Sequence, residues 1–469
     1  MKKRLWMALA VTISFLSACT PPTWFISKEN NGAYADRQQL VFTHLWQRGA
    51  TGYKEINGLI NEFNESEIAK ELNVFVKGDG INFWDYWDKV NLSISGGSAP
   101  DIFIHAVSST PTRLPYLLDL TDMYESDVES SRETLNSEEM FYPSQIGDIT
   151  RYAMNGHMYA WPFSATVRVV YYNKTMFEEA GITDVPSTWA EMEEASRKLT
   201  KYNTEGNEKS GYKTIGFDPF TAEGQYIHQW GWLAGHDYWS TNPSNGRPVP
   251  NFNDPTYVDN LNILYNSYVR RDKTARDNLQ NFMAQFSLNN TNPFVSGKVG
   301  MMISNEGLYT TLKEAKVDFD YSVFEIPPMN NTLESTNWSS SYSLELYDNR
   351  KRNVSDEIAA QRNRGAWEFM KFLYGEKAQG VIADAGFMLS NRTYYDRYIY
   401  VDPLKRELTK AIEHTREAEY IAAVPNWTSD IQVYVNNIYS NTMTVKEAMD
   451  AAQALMQAKI EQYYSVNKN

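Results

Sequence analysis

The chain has 469 residues, with 44 Lys and Arg against 58 Asp and Glu, and a net charge of −14. A surface this acidic repels phosphate backbones, which argues against nucleic acid as a partner. Its single cysteine, Cys19, leaves no internal disulfide, thiolate metal site or cysteine nucleophile in the rest of the chain, so stability rests on a core large enough for two domains.

At the N-terminus, Lys2, Lys3 and Arg4 precede an apolar run from Trp6 to Leu16. The run is too short to cross a bilayer, which takes ~20 residues, and residues 1–18 read as a cleaved secretory leader. Leu16-Ser17-Ala18-Cys19 closes it and resembles the lipobox of bacterial lipoproteins, whose cysteine thiol receives a diacylglycerol. Residues 19–36, with Pro21, Pro22 and Gly32, read as a tether. No later segment is apolar enough to span a membrane.

From residue 37, strand and helix signals alternate. Gln39 to Thr43, Asn73 to Val76 and Asp101 to Ala106 are β-prone; Tyr53, Ile56, Leu59, Ile60 and Phe63 recur at helical spacing, and an aromatic helix is predicted around Trp84 to Val90. Further strands are predicted over Val167 to Tyr172, Thr214 to Phe217, Lys298 to Ser304 and Tyr321 to Ile326, the last ended by Pro327-Pro328. Tyr202 to Tyr212 reads as an exposed loop. Helices are predicted near Gly224 to Gly235, near Pro255 to Arg270 and over Ile358 to Tyr374. Thr188 with Glu191 and Thr444 with Glu447 have capping-box spacing. The stripe from Val445 to Tyr463 is core. This alternation predicts mainly parallel α/β sheets.

Several chemistries have no signature. There is no Gly-x-Gly-x-x-Gly after a strand and no Gly-x-Ser-x-Gly, and Gly297-Lys298 lacks the rest of a phosphate loop. The six histidines are not spaced as a zinc helix, and no carboxylate pair stands out, so no metal and no cofactor are expected. The aromatic content of 14% suits an aromatic core or an aromatic-lined sugar cleft equally.

Gly97-Ser98-Ala99-Pro100-Asp101-Ile102-Phe103 forms a Gly-x-x-Pro-Asp-Ile strand entry. Asn155 to Pro162, Tyr171 to Ile182, Pro186 to Trp189, Phe294 to Met302, Phe372 to Arg392 (with Ser390 where proline is usual) and Trp427 with Thr444 to Met449 follow in order. Together these segments resemble family 1 extracellular solute-binding proteins, the group similar to maltose-binding protein, over nearly all of residues 37–460. The resemblance implies a two-lobed periplasmic-binding-protein fold of class II type. Lobe 1 would hold 37–162 plus about 327–385, and lobe 2 would hold 163–326 plus about 386–469. Crossings would lie near Pro162 to Thr166, Ile326 to Asn337 and Phe387 to Tyr394, with ligand between the lobes, where open α/β sheets also place it.

The function it implies is a monomeric, non-enzymatic receptor of an ABC importer, lipid-anchored through Cys19 outside the cytoplasm. It would bind a carbohydrate, with an oligosaccharide favoured by the aromatic count, and deliver it to permease subunits. A receptor signalling to a membrane kinase and a lipid-anchored carbohydrate-active enzyme are the alternatives.

Sugars need flat aromatic surfaces and fixed hydrogen-bond partners. Trp46 and Gln47 match a family ligand loop; a packed loop aromatic is the other reading of Trp46. His105 and Ser108 end the Pro-Asp-Ile strand, where His105 is either a ligand contact or a structural histidine. Trp161, Ser164 and Thr166 lie on the first crossing, and Arg168 reaches either ligand or a carboxylate of the other lobe. Gln229 and Trp230 lie in an aromatic helix in which Trp230 and Trp232 cannot share a face. Asn305 and Glu306 follow the predicted strand ending at Ser304; for Glu306 a helix N-terminal carboxylate is the other reading. Asn337, Trp338 and Trp427 complete the candidate set, while Trp87 and Trp367 read as core.

Overall fold

The computed structural model describes residues 34–50, 52–129, 140–142, 144–145, 156–268, 273–288, 291–330 and 334–467. The leader, Cys19, most of the tether and Asn155 lie outside them. Among the described residues the strands are β1 Gln38–His44, β2 Val74–Gly80, β3 Ile102–Ala106, β4 Ala160–Ala165, β5 Arg168–Asn173, β6 Lys201–Thr204, β7 Asn207–Phe217, β8 Trp239–Thr241, β9 Pro248–Pro250, β10 Val299–Asn305, β11 Tyr321–Phe324, β12 Asn337–Trp338, β13 Tyr342–Leu346, β14 Met388–Leu389 and β15 Thr415–Arg416. They form a six-stranded sheet in the order β14-β4-β13-β3-β1-β2 and a five-stranded sheet in the order β11-β5-β10-β7-β6, one in each lobe. Two short pairs, β12 with β15 and β8 with β9, complete the set.

The sheets are mixed, which corrects the mainly parallel expectation. Only β1 with β2, β1 with β3, and β10 with β7 pair in parallel within them. A chain that crosses between lobes enters a sheet from the cleft side. It must then run opposite to strands that leave toward the cleft, so β13 is antiparallel to both β3 and β4, and β5 to β10.

Helices follow their apolar stripes. The Tyr53–Glu65 helix buries Ile56, Leu59, Ile60 and Phe63. The Phe83–Ser95 helix starts where the Asn82 side chain accepts from the Asp85 amide at 3.1 Å. It buries Tyr86, Val90 and Ile94, and the Tyr86 hydroxyl lies 2.9 Å from the carbonyls of Thr43 and Ile104, tying the helix to β1 and β3. Both capping boxes form, at Thr188/Glu191 and Thr444/Glu447. In the second sheet the period-2 alternation splits β5: Val169 and Tyr171 join the core shared with the first lobe, and Val170 joins a second core with Leu261, Leu264, Ala448 and Met449.

Three sequence readings change. Residues 202–212 are a hairpin of β6 and β7, not a loop, turning at Gly206, whose φ of +67° suits glycine. The chain passes from the first sheet to the second at Thr166 and Val167, between β4 and β5, rather than at 162/163. The chain leaves the second sheet after β11 and joins the first at β13, a passage that includes Ile326 to Asn337, and β14 pairs with β4, so Met388 and Leu389 belong to the first sheet.

Candidate functional site between the lobes

Strand register places the candidate residues. In the first lobe, Tyr342 opens β13 opposite Ala106, the last residue of β3, and opposite Ser164 near the end of β4. In the second, Arg168 opens β5 opposite Asn305, the last residue of β10. The carboxyl ends of β3, β4 and β10 and the starts of β5 and β13 therefore meet at one interlobe gap.

Residues 337–342 thread this gap as extended chain, and their side chains alternate. The even positions face Arg168 and its surroundings. The Arg168 guanidinium lies 3.8 Å above the Trp338 ring, and Trp338 in turn meets Tyr226 at 4.7 Å and His228 at 4.5 Å. Arg168 donates to Glu223 Oε2 at 3.0 Å, to Ser340 Oγ at 3.0 Å, and to Thr166 Oγ1 and the Trp338 carbonyl, each at 3.4 Å. The Ser340 amide donates to Thr166 Oγ1 at 2.7 Å, closing the loop between the two crossings. The odd positions face a buried polar cluster. Ser339 Oγ and Ser341 Oγ are 2.7 Å apart, Gln145 donates to Ser341 and Ser390, and the Ser341 amide donates to Glu417 at 2.6 Å.

Glu306 follows β10 and accepts from the Val167 amide at 3.1 Å, so it bonds the first crossing directly. Desolvation of its enclosed carboxyl raises its pKa to about 7, against the lowering field of Arg168. The imidazole of His228 is buried, and burial, with Arg168 and Arg416 adding to it, lowers its pKa to about 3. His105 is held neutral in the same way, by burial and then by Arg113. Its Nδ1 accepts from the Ala106 amide at 2.9 Å. Below it, Arg113 and Glu345 form a buried fork with contacts of 2.6 and 2.8 Å, which fixes the turn carrying Ser108 and Ser109.

The structure thus brings His105, Ser164, Thr166, Arg168, Glu306 and Trp338 around one gap, with Ser108 and Asn305 half-buried at its edges. Arg168 pairs with Glu223 of its own lobe, not with a carboxylate of the other lobe. Gln229 is buried and donates to the Glu223 carbonyl at 2.8 Å, so it shapes the turn that presents Glu223. Asn337 is buried on the odd face, away from Arg168.

Four tryptophans do not offer open faces. Trp46 is buried among His44, Phe163 and Phe387, and the loop that carries it folds over β2: a Cβ on Gly80 would come within 2.1 Å of the Trp46 carbonyl oxygen. Gln47, next to it, is exposed. Trp161 packs against Tyr124 and Phe141 in the first core. Trp230 packs edge-on against Trp189 and donates to the Gly224 carbonyl at 2.8 Å. Trp427 is enclosed by Tyr238, Trp239 and Phe252 and donates to the Glu419 carbonyl at 2.8 Å. Each sits on the inward side of its element, so burial of a large apolar surface decided its place.

Residues not singled out from sequence complete the gap. Trp87, read as core, is half-buried; its ring stacks on Tyr342 at 5.5 Å and meets His105 edge-on at 5.3 Å. Glu223, Tyr226, His228 and Ser340 surround Arg168 and Trp338. Trp87 sits at the edge of the face that carries Val90 and Ile94, so its helical position alone fits either a core or a cleft role. Among the described residues, no group of three His, Cys, Asp or Glu could hold a metal ion, and no helix is long and apolar enough to cross a membrane.

Comparison with known proteins agrees with this architecture. A binding protein of Brucella abortus (strain 2308) is 24% identical over 298 residues, 62% of this chain and 63% of that protein, so the match spans less than two thirds of that relative. An ABC substrate-binding protein of Listeria monocytogenes, solved with cycloalternan, is 17% identical and superposes with a TM-score of 0.67 over 91% of this chain and 100% of its own. UgpB of Mycobacterium tuberculosis, solved with glycerophosphocholine, is also 17% identical, with a TM-score of 0.66 over 90% of this chain and 98% of its own. Residues 50–380 match the sequence pattern of one family, and on that match the chain belongs to the bacterial extracellular solute-binding proteins.

Proposed function

We propose that the chain is the carbohydrate receptor of a bacterial ABC importer, lipid-anchored through Cys19, and that it closes its lobes on a neutral oligosaccharide and presents it to a permease. The observation that carries this reading is the lining of the interlobe gap. Trp338 and the Trp87–Tyr342 pair supply aromatic surface from the two lobes, with the hydroxyls of Thr166 and Ser340 between them. Apolar sugar faces favour such surfaces, and sugar hydroxyls favour such partners.

Charge argues against a glycerophosphodiester or phosphate ester, the other ligand class among similar proteins. Arg168 is already paired with Glu223 and lies in the field of Glu306. The neighbouring Arg416 is paired with Asp237 and Glu419. A phosphoryl group would find no unpaired cation at Arg168 or Arg416, and would meet carboxylates. The test is a thermal-shift and calorimetric screen of the mature protein against neutral di- to hexasaccharides and sn-glycerol 3-phosphate. A bound glycan at 100 times its Kd stabilises the folded state by ~2.7 kcal/mol. Binding of the phosphorylated ligand alone would overturn the reading.

A further inference from the structure

One aromatic group outside this gap is unexplained by packing. Trp84, in the first turn of the Phe83–Ser95 helix, is 85% exposed, and Phe83 beside it is 44% exposed. Both follow the carboxyl end of β2, at the cleft side of the first lobe. Their rings continue the aromatic lining outward: Trp84 meets Phe83 at 5.4 Å and 90°, Phe83 meets Trp87 at 5.5 Å and 85°, and Trp87 stacks on Tyr342 at 5.5 Å and 25°. A helical residue at this position could have been polar at no cost to the core, since the buried face of the helix is Tyr86, Val90 and Ile94.

We infer that Trp84 and Phe83 form an outer subsite that carries the distal residues of a neutral oligosaccharide leaving the cleft over the rim of the first lobe. The inference rests on the carbohydrate reading above and extends it to chain length. The rings run unbroken from the gap to solvent, so a chain bound at Trp338 and Tyr342 and leaving on this side passes over them. The platform is held in place before ligand arrives: Asn82 caps the helix, and the Tyr86 hydroxyl bonds it to β1 and β3. Little ordering entropy is then lost on binding. Asp88 is exposed one turn beyond Trp84, where a carboxylate can accept from sugar hydroxyls, while Asp85, next to Trp84, is already paired with Lys89 at 3.3 Å. An indole that is 85% exposed and only in edge contact with Phe83 costs little to truncate in the free protein, which separates this role from a packing role.

The experiment titrates wild type, Trp84→Ala and Trp84→Phe with paired short and long glycans: mannobiose and mannohexaose, maltose and maltohexaose, diacetylchitobiose and hexaacetylchitohexaose. In whichever series wild type binds, the hexasaccharide binds more tightly than the disaccharide. Trp84→Ala weakens the hexasaccharide about tenfold and the disaccharide less than twofold, in line with the loss of one stacking partner. Trp84→Phe recovers most of the loss, and the urea midpoint of both variants stays at wild type. Iodide quenching gives a second readout, since the hexasaccharide alone shields the Trp84 fluorescence. Equal losses for both lengths, or none, overturn the outer subsite while leaving the carbohydrate reading intact. Failure of wild type to bind any of the six glycans overturns the carbohydrate reading, and the subsite with it.

Discussion

Replacing Trp427 by alanine separates the two roles a tryptophan can play in this molecule. Its ring is buried and touches Tyr238, Phe252, Trp239 and His228 at centroid separations of 5.4, 5.7, 5.8 and 5.9 Å. Truncating such a side chain costs ~3–5 kcal/mol through lost transfer energy and the cavity left behind. The Glu419 carbonyl also loses its donor, which adds ~1 kcal/mol. Trp427→Ala should therefore lose ~4–6 kcal/mol of folding free energy in a urea melt followed by circular dichroism. Trp338 differs: it is half-buried, with the Arg168 guanidinium over its ring and Ser340 following it toward the gap. Trp338→Ala should keep most of the stability but weaken glycan binding ~5- to 150-fold, the equivalent of ~1–3 kcal/mol. Calorimetric titration of both folded variants supplies the second axis. If Trp427→Ala keeps the wild-type melt and loses affinity, the assignment of that ring to the core is wrong.

Other consequences can be checked separately. The folded pKa of Glu306, about 7, lies above its ordinary 4.5, so its contribution to stability is fully present below pH 4.5 and is lost as pH rises through 7; urea melts at pH 5 and pH 8 should show this component in wild type and lack it in Glu306→Gln. Breaking the buried Arg113–Glu345 fork by Glu345→Gln leaves an uncompensated guanidinium and should cost ~3–5 kcal/mol in the same assay, whereas a near-neutral result would mean the turn after β3 is held by other contacts. Cys19→Ser should release the protein from membranes; persistence of that variant in the salt-washed membrane fraction would contradict lipid anchoring. Small-angle scattering at saturating glycan should show compaction relative to the free protein, and an unchanged profile would count against hinge closure.

Much of this protein is decided locally. Both capping boxes, the apolar stripe of the last helix and the strand runs at β1, β3, β5 and β10 depend on interactions within a few residues, so composition and spacing alone determine them. The family pattern likewise follows the order of such segments. What the sequence could not decide is the side to which each large residue turns. Trp161, Trp230, Trp338 and Trp427 all lie beside segments that reach the cleft, yet three are core and one is not, because the choice depends on sheets assembled from residues more than a hundred positions apart. The hairpin at 201–217 was hidden for a related reason: its polar residues read as loop, and pairing with the strand after the turn made them β. The same holds for 337–342. Extended chain predicts alternation, but only the register of Tyr342 against Ala106 and Ser164, and the placement of Arg168 across the gap, determines that the even side chains face the site and the odd ones the buried polar cluster.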